Sequence, residues 1–135
     1  LRLEGAYSVV CVADGVLVAF RDPHGIRPLS LGSLERGWVV ASETAALDIV
    51  GASYVREVEP GEMVAVDEHG LRTQHFAQAD PKGCIFEYVY LARPDTSIAG
   101  RSVHEARVDV GRRLARQQPV EAEVHGTTCS AKASA

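Results

Sequence analysis

The stretch Ala6–Phe20, AYSVVCVADGVLVAF, consists of two apolar runs separated by Asp14-Gly15. Asp-Gly is a strong signal for a two-residue hairpin turn, because both turn positions need positive φ and glycine adopts it without steric cost. Both runs are almost continuously apolar rather than alternating, a pattern typical of strands covered on both faces. We therefore expect two central antiparallel strands of a layered fold. Cys11 lies within the first and is expected to be a buried structural thiol.

The sequence on the C-terminal side of this hairpin predicts further strands and one short helix. Strands are expected at 29–32, Gly37–Ala41, Tyr54–Val58, Met63–Val66 and Leu71–Phe76. Ser42 is the expected N-cap of a helix over Glu43–Val50, which should end at Gly51. The last two strands form a second hairpin, and the mixed polarity of its outer arm is typical of a strand near a sheet edge.

The C-terminal third predicts one clear helix. Cys84–Ala92, CIFEYVYLA, is apolar and aromatic, and its periodicity fits either a strand or a helix. Ser102–Glu105 fits a capping box, and the positions that recur on one face of the following helix are Val103, Ala106, Val110 and Leu114. Pro119 is expected to stop this helix. Residues 124–135 have no periodicity and predict a tail.

These elements predict an α+β fold, a sandwich of mixed helix and sheet. Strands and helices do not alternate regularly along the chain, so a doubly wound parallel sheet is not expected.

Composition and charge are those of one ordinary soluble domain. Of the 135 residues, 46% are apolar and 24% are charged, and the formal net charge is -4. This balance argues against a nucleic-acid-binding protein, which needs a dense basic face. Four arginines do cluster late, at Arg107, Arg112, Arg113 and Arg116, but acidic residues are interleaved with them, as on a solvated helix face. No apolar run is long enough to cross a membrane.

The cysteines and histidines form no pattern typical of catalysis or metal binding. Cys11, Cys84 and Cys129 are far apart, which argues against a disulfide framework and a self-contained zinc site and favours a cytoplasmic protein. The five histidines share no spacing, and no phosphate-binding loop motif occurs.

The loop Arg21–Leu29, RDPHGIRPL, is the most unusual segment. A guanidinium on such a rigid loop could hold a ligand carboxylate in bidentate fashion. Alternatively, Arg21 or Arg27 could form an internal ion pair, for example between Arg21 and Asp22, that fixes the loop between strands.

Four segments in this order and spacing are similar to one enzyme family. They are RDPHGIRPLSLG, WVVASETAALDIVGA, EVEPGEMV and CIFEYVYLARPDT. Over residues 1–121 the chain resembles the amidophosphoribosyltransferases, also called glutamine phosphoribosylpyrophosphate amidotransferases. A related glutaminase, such as that of glucosamine-6-phosphate synthase, would share the sandwich but lack the FEYVY and ARPD text.

The resemblance implies a two-part enzyme of purine synthesis. A glutaminase domain with the four-layer αββα sandwich of N-terminal-nucleophile hydrolases releases ammonia, and a phosphoribosyltransferase domain adds it to phosphoribosyl pyrophosphate. Residues 1–95 would be the second half of the glutaminase domain. Residues 96–122 would be a linker and the first transferase helix, and residues 123–135 depart from the family pattern.

The resemblance assigns no catalytic or substrate-binding residue to this sequence. The family's nucleophile is an N-terminal Cys, whereas residue 1 here is Leu1. We therefore expect a fragment that is inactive by itself. Two alternatives stay open: a non-catalytic remnant that docks on the intact enzyme, and a related class II glutamine amidotransferase with another acceptor.

Three positions carry implied roles in the longer enzyme. Cys84 matches a cysteine that ligates a 4Fe-4S cluster in some members, and Phe86 and Tyr90 match residues that line the ammonia passage. The cluster and Mg²⁺ are implied for the full-length enzyme, and no cofactor is expected in this chain alone. The implied partners are glutamine and phosphoribosyl pyrophosphate, in a homo-oligomer without nucleic acid or membrane.

Overall fold

A computed structural model describes residues 3–119 of the chain. The chain forms two compact units, which we call the sheet unit (to Ile85) and the helical unit (from Phe86). The expected tail at 123–135 and Cys129 lie outside the described residues.

The described part of the sheet unit contains seven strands and one helix. In chain order they are β1 (Ser8–Ala13), β2 (Val16–Arg21), β3 (Ser30–Leu34), β4 (Gly37–Ala41), α1 (Thr44–Ile49), β5 (Ser53–Glu57), β6 (Glu62–Asp67) and β7 (Gly70–His75). They form two antiparallel sheets with strand orders β1-β2-β6-β7 and β4-β3-β5. The mixed helix and sheet predicted from the sequence is confirmed, and so is the position of β7 at a sheet edge.

The core of the sheet unit lies between its two sheets. Ala19 and Val64 of the four-stranded sheet cluster with Leu29 and Val58, and Val40 of β4 packs against this cluster. β3 alternates between its two faces, so Leu31 shares the face of its register partner Val40. Gly32 lies on the opposite face, which α1 covers. The resulting order of layers is helix, sheet, sheet.

The first hairpin forms as predicted. Asp14 and Gly15 both have positive φ, at 49° and 80°, and Ala13 pairs with Val16 across the turn. The expectation that both arms are covered on both faces is wrong for β1, since Val12 is 71% exposed. The predicted burial of the Cys11 thiol is also wrong, because Cys11 is exposed. The reason is position, since among the described residues β1 pairs only with β2 and forms a sheet edge.

Helix α1 begins one residue later than predicted. Glu43, not Ser42, is the N-cap residue, with extended backbone angles and no side-chain capping bond. The helix ends at Ile49, one residue before the predicted end, with Val50 as the C-cap. The prediction of Gly51 as the residue that closes the helix is confirmed: its φ is 70°, and its N–H donates to the Asp48 carbonyl at 3.1 Å.

The helical unit contains a π-helical turn, a short hairpin and one long helix. Their bounds are Glu87–Leu91 for the π helix, Ser97–Ile98 and Arg101–Ser102 for β8 and β9, and Val103–Gln117 for α2. The ambiguous segment Cys84–Ala92 is thus helical over residues 85–91. Ser102 is the N-cap of α2 as predicted, and its Oγ accepts from the Glu105 N–H at 3.3 Å.

The core of the helical unit is small. Ala92, Ile98 and Val103 are buried together, and Tyr88 packs against them. The C-terminal half of the predicted apolar face of α2 is exposed at Val110 and Leu114. No helix within residues 3–119 is long and apolar enough to span a membrane.

Candidate functional site

Arg21 fixes the RDPHGIRPL loop from inside. Its side chain is buried and donates to three backbone carbonyls: Nε to Arg27 at 2.8 Å, Nη1 to Val58 at 2.9 Å and Nη2 to Gly25 at 2.9 Å. Nη1 also pairs with the Glu57 carboxylate at 3.1 Å. These contacts support the interpretation that the arginine holds the loop rather than a ligand.

The Asp22 carboxylate accepts hydrogen bonds from backbone N–H groups and does not pair with the Arg21 side chain. Its fully buried carboxylate accepts from His24 N at 2.9 Å, Tyr7 N at 3.2 Å and Ile26 N at 3.3 Å. A buried carboxylate requires such donors, because an unsatisfied charge in the interior is very costly. The Arg21–Asp22 pairing considered from the sequence is replaced by the pair between Arg21 and Glu57.

The EVEPGEMV segment contributes the buried carboxylate of Glu62 to a second ion pair, with the partly exposed Arg56. Arg56 donates from both terminal nitrogens to the Glu62 carboxylate at 2.7 Å, and the Glu59 N–H donates to it at 2.7 Å. Burial alone would raise the pKa of Glu62, but the hydrogen bonds from Arg56 and the Glu59 backbone outweigh it, so its pKa lies below the ordinary value. This segment is structural as well.

The most unusual exposed surface lies on the segment Phe86–Leu91, which we call the aromatic turn. Phe86 is 64% and Tyr90 80% exposed, and Val89 and Leu91 are also exposed, whereas Glu87 is buried. The structure therefore brings the two predicted passage residues onto one helical turn and leaves both uncovered within the described residues. A group of exposed apolar and aromatic side chains on one turn is a candidate surface for contact with a partner or ligand.

The aromatic turn is held in place from behind by two polar side chains. The Tyr88 hydroxyl donates to the Ile98 carbonyl at 2.7 Å. Arg107 of α2 donates from Nε to the Tyr88 carbonyl and from Nη2 to the Ala92 carbonyl, both at 2.7 Å.

Arg107 corrects the interpretation of the late arginines as one solvated face. Arg112, Arg113 and Arg116 are exposed, but Arg107 is half-buried. The sequence contained a signal: Arg107 lies four residues after Val103 and three before Val110, which places it on the apolar face of the helix.

Cys84, in the sheet unit, is a half-buried free thiol. Within residues 3–119, no three His, Cys, Asp or Glu side chains are grouped so that they could hold a metal ion. A four-iron cluster requires four ligands. The described residues by themselves therefore do not fit a cluster.

Curated relatives match nearly the whole chain, although no family model matches it. Over 122 residues the chain is 65% identical to the amidophosphoribosyltransferase of Mycobacterium tuberculosis, covering 90% of this chain and 23% of that protein. These matches confirm the resemblance to amidophosphoribosyltransferases. The amidophosphoribosyltransferase of Bacillus subtilis is 44% identical over 123 residues, again 90% of this chain but 26% of the relative.

A solved structure shares the fold. The glutamine phosphoribosylpyrophosphate amidotransferase of Bacillus subtilis, in complex with ADP and GMP, superposes with a TM-score of 0.84 at 43% identity. It covers 87% of this chain, which in turn covers 26% of that structure. The chain thus spans about a quarter of the length of the amidophosphoribosyltransferases that it matches.

Proposed function

We propose that this chain is part of an amidophosphoribosyltransferase of purine synthesis. The longer enzyme would convert glutamine, phosphoribosyl pyrophosphate and water to phosphoribosylamine, glutamate and pyrophosphate. The observation that carries the proposal is the 65% identity over 122 residues to the Mycobacterium tuberculosis amidophosphoribosyltransferase. We further infer that the longer enzyme is a cytoplasmic homo-oligomer, as the resemblance implies.

The proposed assignment of segments to the two domains follows the resemblance. Residues 1–95 would contribute to the four-layer αββα glutaminase sandwich, and residues 96–122 would begin the transferase domain. The helix, sheet, sheet order of the sheet unit is compatible with three of those four layers. Because the resemblance assigns neither the nucleophile nor the pyrophosphate-binding loop to this sequence, the 135 residues alone are proposed to be inactive.

A chimeric enzyme tests this proposal. The matching 122 residues of the Mycobacterium tuberculosis relative are replaced by those of this chain, and phosphoribosylamine formation is measured with glutamine and, separately, with ammonia. Activity close to that of the unmodified relative is expected with both. A soluble, folded chimera that lacks both activities would contradict the proposal. The 135-residue chain alone should release no glutamate from glutamine.

We propose that Phe86 and Tyr90 line the passage that carries ammonia between the two reactions. Their shared turn and exposed rings support this role. In the chimera, Phe86→Ala and Tyr90→Ala should lower the glutamine-dependent rate and leave the ammonia-dependent rate unchanged. Tyr54→Ala is the matched control, since Tyr54 is an exposed tyrosine of β5. If Phe86→Ala and Tyr90→Ala lower the glutamine-dependent and the ammonia-dependent rates equally, the two rings do not line the passage.

Cys84 is proposed as one ligand of a 4Fe-4S cluster in the longer enzyme, which would also use Mg²⁺. Its half-buried free thiol supports the first assignment. Anaerobically purified chimera should contain iron and absorb visible light, and Cys84→Ser should lose both. Cys11→Ser, which removes an exposed thiol from β1, should lose neither. Equal iron content in the two variants would exclude ligation by Cys84.

A second function is favoured by the exposed apolar surfaces. Val12 of β1 and the rings of the aromatic turn are uncovered in the described part of the chain. A free chain of this kind would dock on a full-length amidophosphoribosyltransferase without catalysing anything. Mixing the chain with the Bacillus subtilis enzyme and measuring co-elution in size-exclusion chromatography tests this alternative, and separate elution would exclude it.

A further inference from the structure

The winding of the aromatic turn leaves the Tyr88 carbonyl open to a donor from elsewhere. The Ala92 N–H donates to the Glu87 carbonyl, five residues back, at 3.0 Å. In an α-helix the same N–H would donate to the carbonyl four residues back, which is that of Tyr88. Because the π-helical register diverts the Ala92 N–H, the Tyr88 carbonyl cannot receive it.

Arg107 takes the place of that missing donor. Its Nε lies 2.7 Å from the Tyr88 oxygen, and its Nη2 lies 2.7 Å from the Ala92 oxygen. The planar guanidinium reaches both acceptors at once, one within the turn and one just after it. Hydrogen bonds from a charged donor are stronger than those between neutral groups. In an α-helical turn the Ala92 N–H would satisfy the Tyr88 carbonyl without Arg107, whereas in the π-helical turn Arg107 supplies its donor.

We propose that Arg107 is a positioning residue that selects the π-helical winding of the aromatic turn and thereby sets the directions of Phe86 and Tyr90. The inference deepens the proposed function and rests on it. The two rings are four residues apart, so their relative direction depends on the number of residues per turn. A change from π to α winding rotates one ring relative to the other about the helix axis.

Loss of Arg107 should leave the rest of the helical unit folded. Tyr88 keeps its hydroxyl bond to the Ile98 carbonyl, and Ala92 keeps its packing against Ile98 and Val103. The proposed effect is therefore a local change of winding. A local change of winding can therefore be distinguished from a loss of overall stability of the helical unit.

The test uses Arg107→Lys in the chimeric enzyme. Lysine keeps the charge but lacks the planar fork, so it cannot bridge two carbonyls in the same geometry. The glutamine-dependent rate should fall about 10- to 100-fold, the range for misplaced groups, and the ammonia-dependent rate should stay unchanged. Arg112→Lys, whose arginine forms an exposed pair with Asp109 on the same helix, should change neither rate.

Two results would overturn the proposal: an unchanged glutamine-dependent rate, or an equal fall of both rates, which would indicate general destabilisation. If the parent chimera is inactive with both nitrogen sources, the proposed function fails instead. Hydrogen exchange of the 135-residue chain then decides the role of Arg107. Arg107→Lys should speed exchange at 86–92 relative to Arg112→Lys while β2 and β6 exchange as before. Equal exchange at 86–92 would refute the role.

Discussion

Arg21 and Asp22 are adjacent in the chain, but each satisfies a different set of backbone groups. The guanidinium donates to the Gly25 and Arg27 carbonyls and the carboxylate accepts from the His24 and Ile26 N–H groups, so the two side chains together bind the backbone of the loop between β2 and β3. A Pro- and Gly-rich loop has few hydrogen bonds of its own. The charged side chains supply the partners that regular structure would otherwise provide.

Asp22→Asn should destabilise the sheet unit. The asparagine has a single oxygen, so at least one of the backbone N–H groups at Tyr7, His24 and Ile26 faces an NH₂ group instead of an acceptor. A loss of about 1–3 kcal/mol in the free energy of unfolding is expected, measured by urea denaturation. Asp48→Asn on the exposed side of α1 is the control. Equal unfolding midpoints for the two variants would contradict this account of the loop.

Glu62 should make stability fall in acid. Because its pKa is lower in the folded state than its ordinary value of 4.5, its contribution is fully present above that value. The contribution is lost as the pH falls through the folded-state pKa. Urea unfolding of the wild type and Glu62→Gln between pH 7 and pH 3 should therefore converge in acid. Glu68→Gln, at an exposed turn position, is the control. A stability difference that stays constant over this range would exclude the mechanism.

At the scale of elements, α1 is positioned by the absence of a side chain on β3. A Cβ at Gly32 would lie 3.0 Å from Leu47 Cδ2 and 3.3 Å from the Ala52 Cβ. Leu47 is fully buried, so this close approach of helix and strand is part of the core. The short helix has no side-chain capping bond at its N-terminus, and packing is therefore the main source of its stability.

Gly32→Ala should force α1 away from β3 by a few tenths of an ångström. The expected cost is about 1–3 kcal/mol, the range for overpacked cores. The free energy of unfolding measures it. Gly83→Ala is the matched control, because its Cβ would meet nothing within 4 Å. If Gly32→Ala leaves stability as unchanged as Gly83→Ala does, the contact with Leu47 does not set the distance between α1 and β3.

At the scale of the whole molecule, the two edges of the four-stranded sheet differ in charge. β7 includes Arg72 and His75, whereas β1, SVVCVA, has no charged residue and exposes Val10 and Val12. Exposed, uncharged edge strands pair with other chains, and natural proteins oppose this with charges. The β1 edge is therefore the expected site of self-association for the free chain.

Val12→Lys should reduce self-association of the 135-residue chain with little effect on folding. A surface substitution of this kind changes stability by about 0.5 kcal/mol or less. Sedimentation velocity at several concentrations should show smaller species than the wild type. Thr73→Lys on the already charged β7 edge is the control and should behave like the wild type. Unchanged association of the Val12 variant would place the contact elsewhere.

The local features of this protein were determined by its sequence alone. The Asp14-Gly15 turn, the glycine after α1 and the Ser102 cap all follow from φ preferences and hydrogen bonds among neighbouring residues. The four ordered segments were also enough to indicate the relatives. The turn, the glycine and the cap depend on interactions within a few residues, so the local sequence is sufficient to predict them.

Tertiary structure decided burial and the winding of the aromatic turn. The apolar pattern of β1 predicted coverage of Cys11 on both faces, but burial depends on which elements lie alongside a strand, and β1 lies at an edge. Arg107 is 19 residues from Tyr88 and 15 from Ala92, so its two hydrogen bonds exist only once α2 has packed. The choice of π over α register follows from those contacts, and no local pattern of the aromatic turn contains them.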